Sequence, residues 1–511
     1  MEAAVGGHGY ARGLVFGSVG DEGSALAYGV EAQRYDGPWT DIDEDVGKSN
    51  LFLRLSGALG GGRAQLTAMA YDNEWNAPDQ IPQRAVDAGL IDRFGSIDPT
   101  LGGTTERRSL SAGWQGPLAG GDFVADAYAI DYAFELWSNF TYFLDDPVGG
   151  DQFRQFDERN TTGWSLSDTW TLGRADVRAG AQYRRDDIEH VGLSRTRERA
   201  FVAAVRDDAV DEKSLSLFVD GEYRFGERLR AYAGLRYDDY DFEVRALQPE
   251  NSGDASDDAI SAKASLAYRA GDAVELYASW GEGLHSNDAR GTTIVLDPLT
   301  GLPADRVDPL VASRGEELGA RLYFSERLHA TLALWRLDLD SELVFVGDAG
   351  NTEASRPSRR DGVELGVYWF GGERWRAELE ASYTDARFGG DDPAGDEIPG
   401  AIPLVVSGGV SVDLGRGWSG AAHVRHFGAY PLIEDASIES DGSTLVNLRL
   451  AKRFDRWLAT LDVLNALDAD DHDIDYFYAS RLLGEPAEGV EDVHFHPFES
   501  RALRLSLRYE F

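Results

Sequence analysis

Apolar residues in this chain fall on every second position, in runs of about ten. Leu215, Leu217, Val219, Gly221, Tyr223 and Phe225 alternate with Ser216, Asp220, Glu222 and Arg224. Leu229, Ala231, Ala233, Leu235 and Tyr237 repeat the pattern, as do Val363, Leu365, Val367 and Trp369. The chain ends the same way: Leu503, Leu505, Leu507, Tyr509 and Phe511 are interleaved with Arg504, Ser506, Arg508 and Glu510. A period of two marks a strand with one apolar face. Helical periodicity is scarce. The pattern predicts strands near 10–18, 25–35, 50–58, 64–72, 107–115, 123–134, 162–173, 175–185, 213–225, 229–240, 259–269, 273–283, 314–325, 328–340, 360–371, 373–385, 402–414, 418–427, 443–454, 457–465 and 500–511.

The connections alternate short and long. Short ones are 57–62, 116–121, 226–228, 325–327, 415–417 and 455–456; long ones are 73–106, 135–161, 186–212, 284–313, 341–359, 386–401 and 466–499. A β-sandwich has no reason to lengthen every second connection. A transmembrane barrel does, with short periplasmic turns and long extracellular loops. Phe225, Tyr268, Phe324, Phe370 and Phe454 precede short turns, and Trp375, Trp418 and Trp457 follow them. Rings at that common height form an interfacial girdle. Single-chain bacterial barrels have even strand numbers, so a further strand is expected near 2–6. The prediction is all-β: one 22-stranded transmembrane antiparallel β-barrel over 1–511, its first strand near 2–6 and its last at 500–511.

Composition fits this picture. No run approaches the ~18 apolar residues of a membrane helix, whereas a spanning strand needs only ~10 with half of them polar. The 89 acidic residues against 49 basic give a formal charge of −40, which excludes a nucleic-acid partner. Cysteine is absent, as suits passage through an oxidising compartment.

Residues 75–103, 134–153, 281–293, 334–350 and 354–366 resemble signature stretches of a TonB-dependent outer-membrane receptor subfamily. LDVLNALDADDHD (461–473) resembles the family's penultimate strand, with Leu467 where an aromatic is common. The resemblance implies the outer membrane of a Gram-negative bacterium, with the bilayer, lipopolysaccharide and the outer-membrane assembly machinery as partners. Tyr509 and Phe511 match the terminal aromatic signal read by that machinery. The family's N-terminal plug domain and TonB box have no counterpart here, so TonB would act only through the missing plug. Met1 at the plug-to-barrel junction favours a plug removed by engineering over a separate chain or a naturally plugless pore.

Candidate sites lie in the long loops. Trp137, Phe140, Tyr142 and Phe143 offer stacking surface for a ligand. His285, Asn287, Asp288 and Arg290 sit just past a strand end, placed to hold a ligand or brace the mouth. Asp471, His472, Asp473, Asp475, His494 and His496 crowd the last loop with divalent-metal ligand types, yet in no tetrahedral zinc spacing. Asp41, Asp43 and Asp45 have a Ca²⁺-like spacing without the glycine and distal glutamate of an EF-hand loop. No cofactor is required, and no nucleophile–base constellation or phosphate-cradling loop points to an enzyme. Two functions follow. One is the barrel of a receptor for a scarce nutrient of the ferric siderophore, cobalamin or oligosaccharide class. The other is a plugless, wide passive pore with cation preference.

Overall fold

A computed structural model of the chain describes residues 1–511 except 22 and 347–350, and the side chains of 343–346 and 351–354 are also outside the description. The predicted segments form one 22-stranded sheet. Each barrel strand pairs antiparallel with its neighbours along the barrel, and the first, Glu2–Gly6, closes against the last, Ala502–Tyr509. The stub expected at 2–6 is therefore a strand. Closure leaves the sheet without a free first or last strand.

The seam runs from Glu2 opposite Arg508 to Gly6 opposite Arg504. The amino group of Met1 donates to the Tyr509 carbonyl at 2.9 Å. The Tyr509 N–H returns a bond to the Met1 carbonyl at 2.8 Å. The ladder ends there. The last strand, Ala502–Tyr509, is shorter than its alternation suggests, and the Glu510 N–H donates to the Arg456 carbonyl in the adjoining short turn at 2.9 Å. Phe511 lies past the ladder, 64% exposed, with its ring 6.4 Å from that of Tyr509.

The two faces sort as the period of two requires. Leu503, Leu505 and Leu507 are exposed on the outside, as are Leu51, Leu53, Leu55, Leu215, Leu217 and Val219. Contiguous apolar rows of this size are unfavourable in water and suited to lipid. The inner face carries paired charges. Glu2 bridges Arg12 at 2.9 Å and Arg508 at 2.7 Å, and Arg12 reaches Glu31 at 3.2 Å. Arg230 and Arg321 share Glu275 at 3.1 and 2.5 Å. The girdle aromatics Phe225, Tyr268, Phe324, Phe370, Phe454, Trp375, Trp418 and Trp457 all flank short turns and are all exposed.

The rim is steeply slanted. Strands Ala175–Arg197 and Ala200–Phe225 rise to a turn at Glu198 and Arg199, whose φ values are 49° and 64°. The segment 186–212 is thus a tall hairpin and not the long loop its composition predicts. Above the lipid neither face must be apolar, so the alternation that reveals a spanning strand fades while the ladder continues. On the opposite side the strands are short: Trp457–Leu464, Ala502–Tyr509 and Glu2–Gly6. The loop at 341–359 holds a small hairpin, Leu343–Val346 with Asn351–Ala354, and the end of the signature stretch 334–350 lies outside the described residues. No helix among the described residues is long and apolar enough to cross a membrane.

Candidate functional site

Four outer loops, 36–45, 77–101, 139–152 and 465–501, bond to one another as one cap on the outer side of the barrel. Its framework is a three-stranded sheet of His472–Ser480, Val490–Pro497 and Ile81–Pro82. The connection between the first two turns on Gly484 and Gly489, whose φ values of 91° and 75° favour glycine. Aromatic–imidazole pairs hold the hairpin together: Tyr478 stacks on His494 at 3.8 Å and His472 on Phe495 at 3.9 Å.

Arg84 joins this hairpin to loop 77–101. Its Nε donates to Glu485 at 2.9 Å, and its Nη2 donates to the Ser480 carbonyl and hydroxyl, both at 3.0 Å. Its backbone N–H and Nη1 both donate to Asp492. Loop 139–152 is tied in through Asp79, whose carboxylate accepts from the Asn139 N–H at 2.7 Å. Burial pushes the Asp79 carboxyl up to about 7, assisted by the neighbouring Asp98. Glu44 is likewise pushed up to about 7, by burial first and then by Glu499. His494 is completely buried between Ser480 and the Asp492 carbonyl, and burial lowers it to about 4.

The aromatic stretch 134–143 serves this joint. Tyr142 is buried with Ala85 and Leu482, and its hydroxyl donates to the Gln80 carbonyl at 2.8 Å. Phe143 packs against the same cluster. Phe140 meets Phe153 edge-on at 5.3 Å, and Trp137 lies under the Arg199 guanidinium at 5.0 Å. Tyr142 therefore faces the cap interior.

His285 ends the strand Val274–Ser286, and Asn287, Asp288 and Arg290 follow it into a buried segment. Asp288 pairs with Arg290 at 2.5 Å, and that guanidinium holds its carboxyl at about 2 against the opposing effect of burial.

The two proposed metal groupings are not assembled. Asp41 accepts from the Ser96 N–H at 3.0 Å, and Asp41, Asp43 and Asp45 are all exposed. In the last loop, His472 pairs with Asp475 at 2.7 Å and His496 with Asp473 at 2.9 Å, whereas His494 bonds Ser480 and Asp471 accepts from the Thr444 N–H. A register shift between His472 and Ile474 leaves His472 with Asp475 and Asp473 with His496 as two separate pairs. Among the described residues no group of three or more His, Asp or Glu converges as metal ligands would.

The open surface of the mouth lies elsewhere. A cleft between loop 139–152 and the inner side of the tall hairpin is lined by Thr141, Asp146, Gln152, Arg195, Thr196 and Arg197, with Leu299 across it. Asp151 shapes its floor by accepting from Thr141 Oγ1 and the backbone of Leu144, Asp145 and Asp146. Nearly all of the net negative charge sits in the outer connections and the strand ends leading to them, while the spanning wall is close to neutral. The mouth therefore focuses a negative field outward. Arg84, Asp79 and Gln152 escaped the sequence reading, because a single Arg, Asp or Gln in a loop carries no signal until its partner is known.

Residues 28–466 match the family described as TonB dependent receptor-like, beta-barrel. Solved structures resemble the whole chain. The ferric-catecholate import receptor Fiu from E. coli K12, closed form, superposes with a TM-score of 0.76 at 14% identity, covering 100% of this chain and 81% of its own. The ferric yersiniabactin uptake receptor FyuA from Yersinia pestis gives 0.76 at 14%, covering 100% and 79%. The copper transporter OprC gives 0.74 at 16%, covering 100% and 79%. At these identities the likeness is one of fold.

Proposed function

Because the chain belongs to the TonB-dependent receptor-like β-barrel family of the Gram-negative outer membrane, we propose that it is the translocation barrel of a receptor for a scarce nutrient of the ferric siderophore, cobalamin or oligosaccharide class. Its relatives are receptors and transporters, not enzymes. The observation that supports the reading best is the capped mouth. A barrel that only leaks solutes has no need of four loops bonded into one sheet-bearing cap around a polar cleft. The cleft presents the exposed guanidiniums of Arg195 and Arg197 to a ligand with exposed oxygens, above a floor in which Thr196 donates to Gln152. The lumenal wall would guide it inward, with TonB acting through a plug domain in the lumen.

A second reading is a wide passive pore with cation preference. It is favoured by lumenal charges that satisfy one another, such as Glu2 with Arg12 and Arg508, and by the acidic mouth. Planar-bilayer recording separates the two. A receptor barrel gives small or ligand-blocked currents. A passive pore gives a large steady conductance with a cation-selective reversal potential.

A further inference from the structure

The inner face of the tall hairpin and of the next strand, Leu229–Arg245, carries an apolar patch. Val210 lies opposite Ile188 and Val244, and Phe242 opposite Ala255. These positions share a face with Ser216 and Asp238, which point into the lumen, and not with Leu215, Leu217 and Val219, which meet lipid. Yet Ile188, Val210, Phe242 and Val244 are only 2–7% exposed. What covers them is Ala289, from the loop that leaves the strand Val274–Ser286.

That loop folds inward. Its short helix, Ala289–Thr293, is buried at every residue. Two ion pairs removed from solvent meet beside it: Asp288 with Arg290, and Arg206 with Asp208 at 3.1 Å, Arg206 and Asp208 each 2% exposed. Across the two pairs Asp288 attracts Arg206 and Asp208 attracts Arg290, against the repulsion of the two guanidiniums, only while the loop stays in place. Asn251 holds the next stretch. It accepts from the backbone of Val295 and Leu296, both at 2.9 Å, and donates to the Leu296 carbonyl at 2.8 Å. Thr293 donates to the Asn251 carbonyl at 2.8 Å. The ends of the loop also meet, because the Asn287 N–H donates to the Pro309 carbonyl at 2.9 Å.

We propose that residues 287–309 form a fixed constriction strap, seated on the inner wall of the mouth, that sets the largest solute able to enter the barrel. An apolar seat, two neighbouring ion pairs and closed loop ends all favour a permanent position. The strap belongs to the barrel itself, so it acts whether the chain works as a receptor or as a pore.

The test uses the purified chain in planar bilayers with neutral polyethylene glycols of graded size. Replacing residues 288–308 by a short Gly-Ser turn joins ends that already touch. It should at least double the conductance and admit larger polymers. Arg290→Ala should shift the polymer cut-off the same way, and it serves if the shortened chain fails to insert. Cysteine pairs joining Ala289 to Val210, Phe242 or Val244 should cross-link in the intact outer membrane in at least one combination, leaving the cut-off unchanged. An unaltered cut-off after both loop variants, or no cross-linking in any pair, overturns the proposal.

Discussion

Arg84 and Asp492 lie 408 positions apart and meet twice. The backbone N–H and the Nη1 of Arg84 both donate to the same carboxylate oxygen of Asp492, at 2.8 and 3.3 Å. One bond fixes the path of loop 77–101 and the other fixes its side chain, so the pair sets the position of the hairpin that roofs the mouth. Arg84→Ala should remove about 2 kcal/mol from this docking, the worth of a part-buried charged network losing one member. The barrel ladder should be untouched. Hydrogen exchange across 472–497 should rise with no change across 500–509, and the connection 481–489 should become a proteolysis site. Unchanged protection of the hairpin would show that Arg84 is incidental to it.

The Asp79 carboxyl makes the cap pH-dependent. An open, hydrated Asp titrates near 4, whereas in the cap it is pushed up to about 7 by burial. The closed cap therefore holds the proton more tightly than the open one. Its stability is full below about 4, declines as pH rises through 7, and levels off above that. Amide exchange at Asn139 and Tyr142, corrected for intrinsic rates, should speed up between pH 5 and 8. Asp79→Asn should flatten that dependence. A dependence that survives the substitution places the titrating group elsewhere.

At the seam, Glu2 is the single acid between Arg12 and Arg508. Glu2→Ala leaves two half-buried guanidiniums facing one another across the shortest strand of the barrel. The expected loss is about 1–2 kcal/mol. It would be read as a lower temperature for the folded-to-unfolded shift on a denaturing gel. Arg12→Ala should cost less, since Arg508 still holds Glu2. The reverse order would contradict this account of the seam.

Phe511 lies beyond the last ladder pair, so its deletion removes no strand pairing. Purified chain lacking it should refold in detergent as readily as the parent. In cells its outer-membrane yield should fall, because the terminal aromatic is proposed as the feature read by the assembly machinery. Normal yield with normal heat-modifiable migration would remove that role.

How far the sequence reveals the molecule follows from which physical demand each part obeys. Spanning strands were legible because lipid imposes an apolar residue at every second position, as in Leu503, Leu505 and Leu507. The first strand emerged from parity of strand number, since Glu2–Gly6 is too short to show a period. The hairpin through Glu198 and Arg199 looks like a loop in sequence because, above the bilayer, nothing enforces alternation. The stretch containing Tyr142 stood out by its aromatics, yet ring count alone does not say whether rings meet a ligand or one another. In the cap the partners of Arg84 lie some 400 positions away, and no local pattern carries that distance. Asp473 and His496 look like metal ligands in sequence and pair with each other in space, because cross-strand neighbours are set by register.

Binding of one specific nutrient at the outer side of the barrel is what separates a receptor from a pore. The most direct measurement is an equilibrium titration of the purified chain with representative ferric siderophores, cobalamin and oligosaccharides. Intrinsic fluorescence would follow it, because Trp39 packs against His496 with ring centres 4.9 Å apart and Trp137 lies under Arg199. A saturable change with one ligand class is expected, lost when Arg195 and Arg197 in the cleft are replaced by alanine. Saturation by no class, together with a large steady conductance, would contradict it.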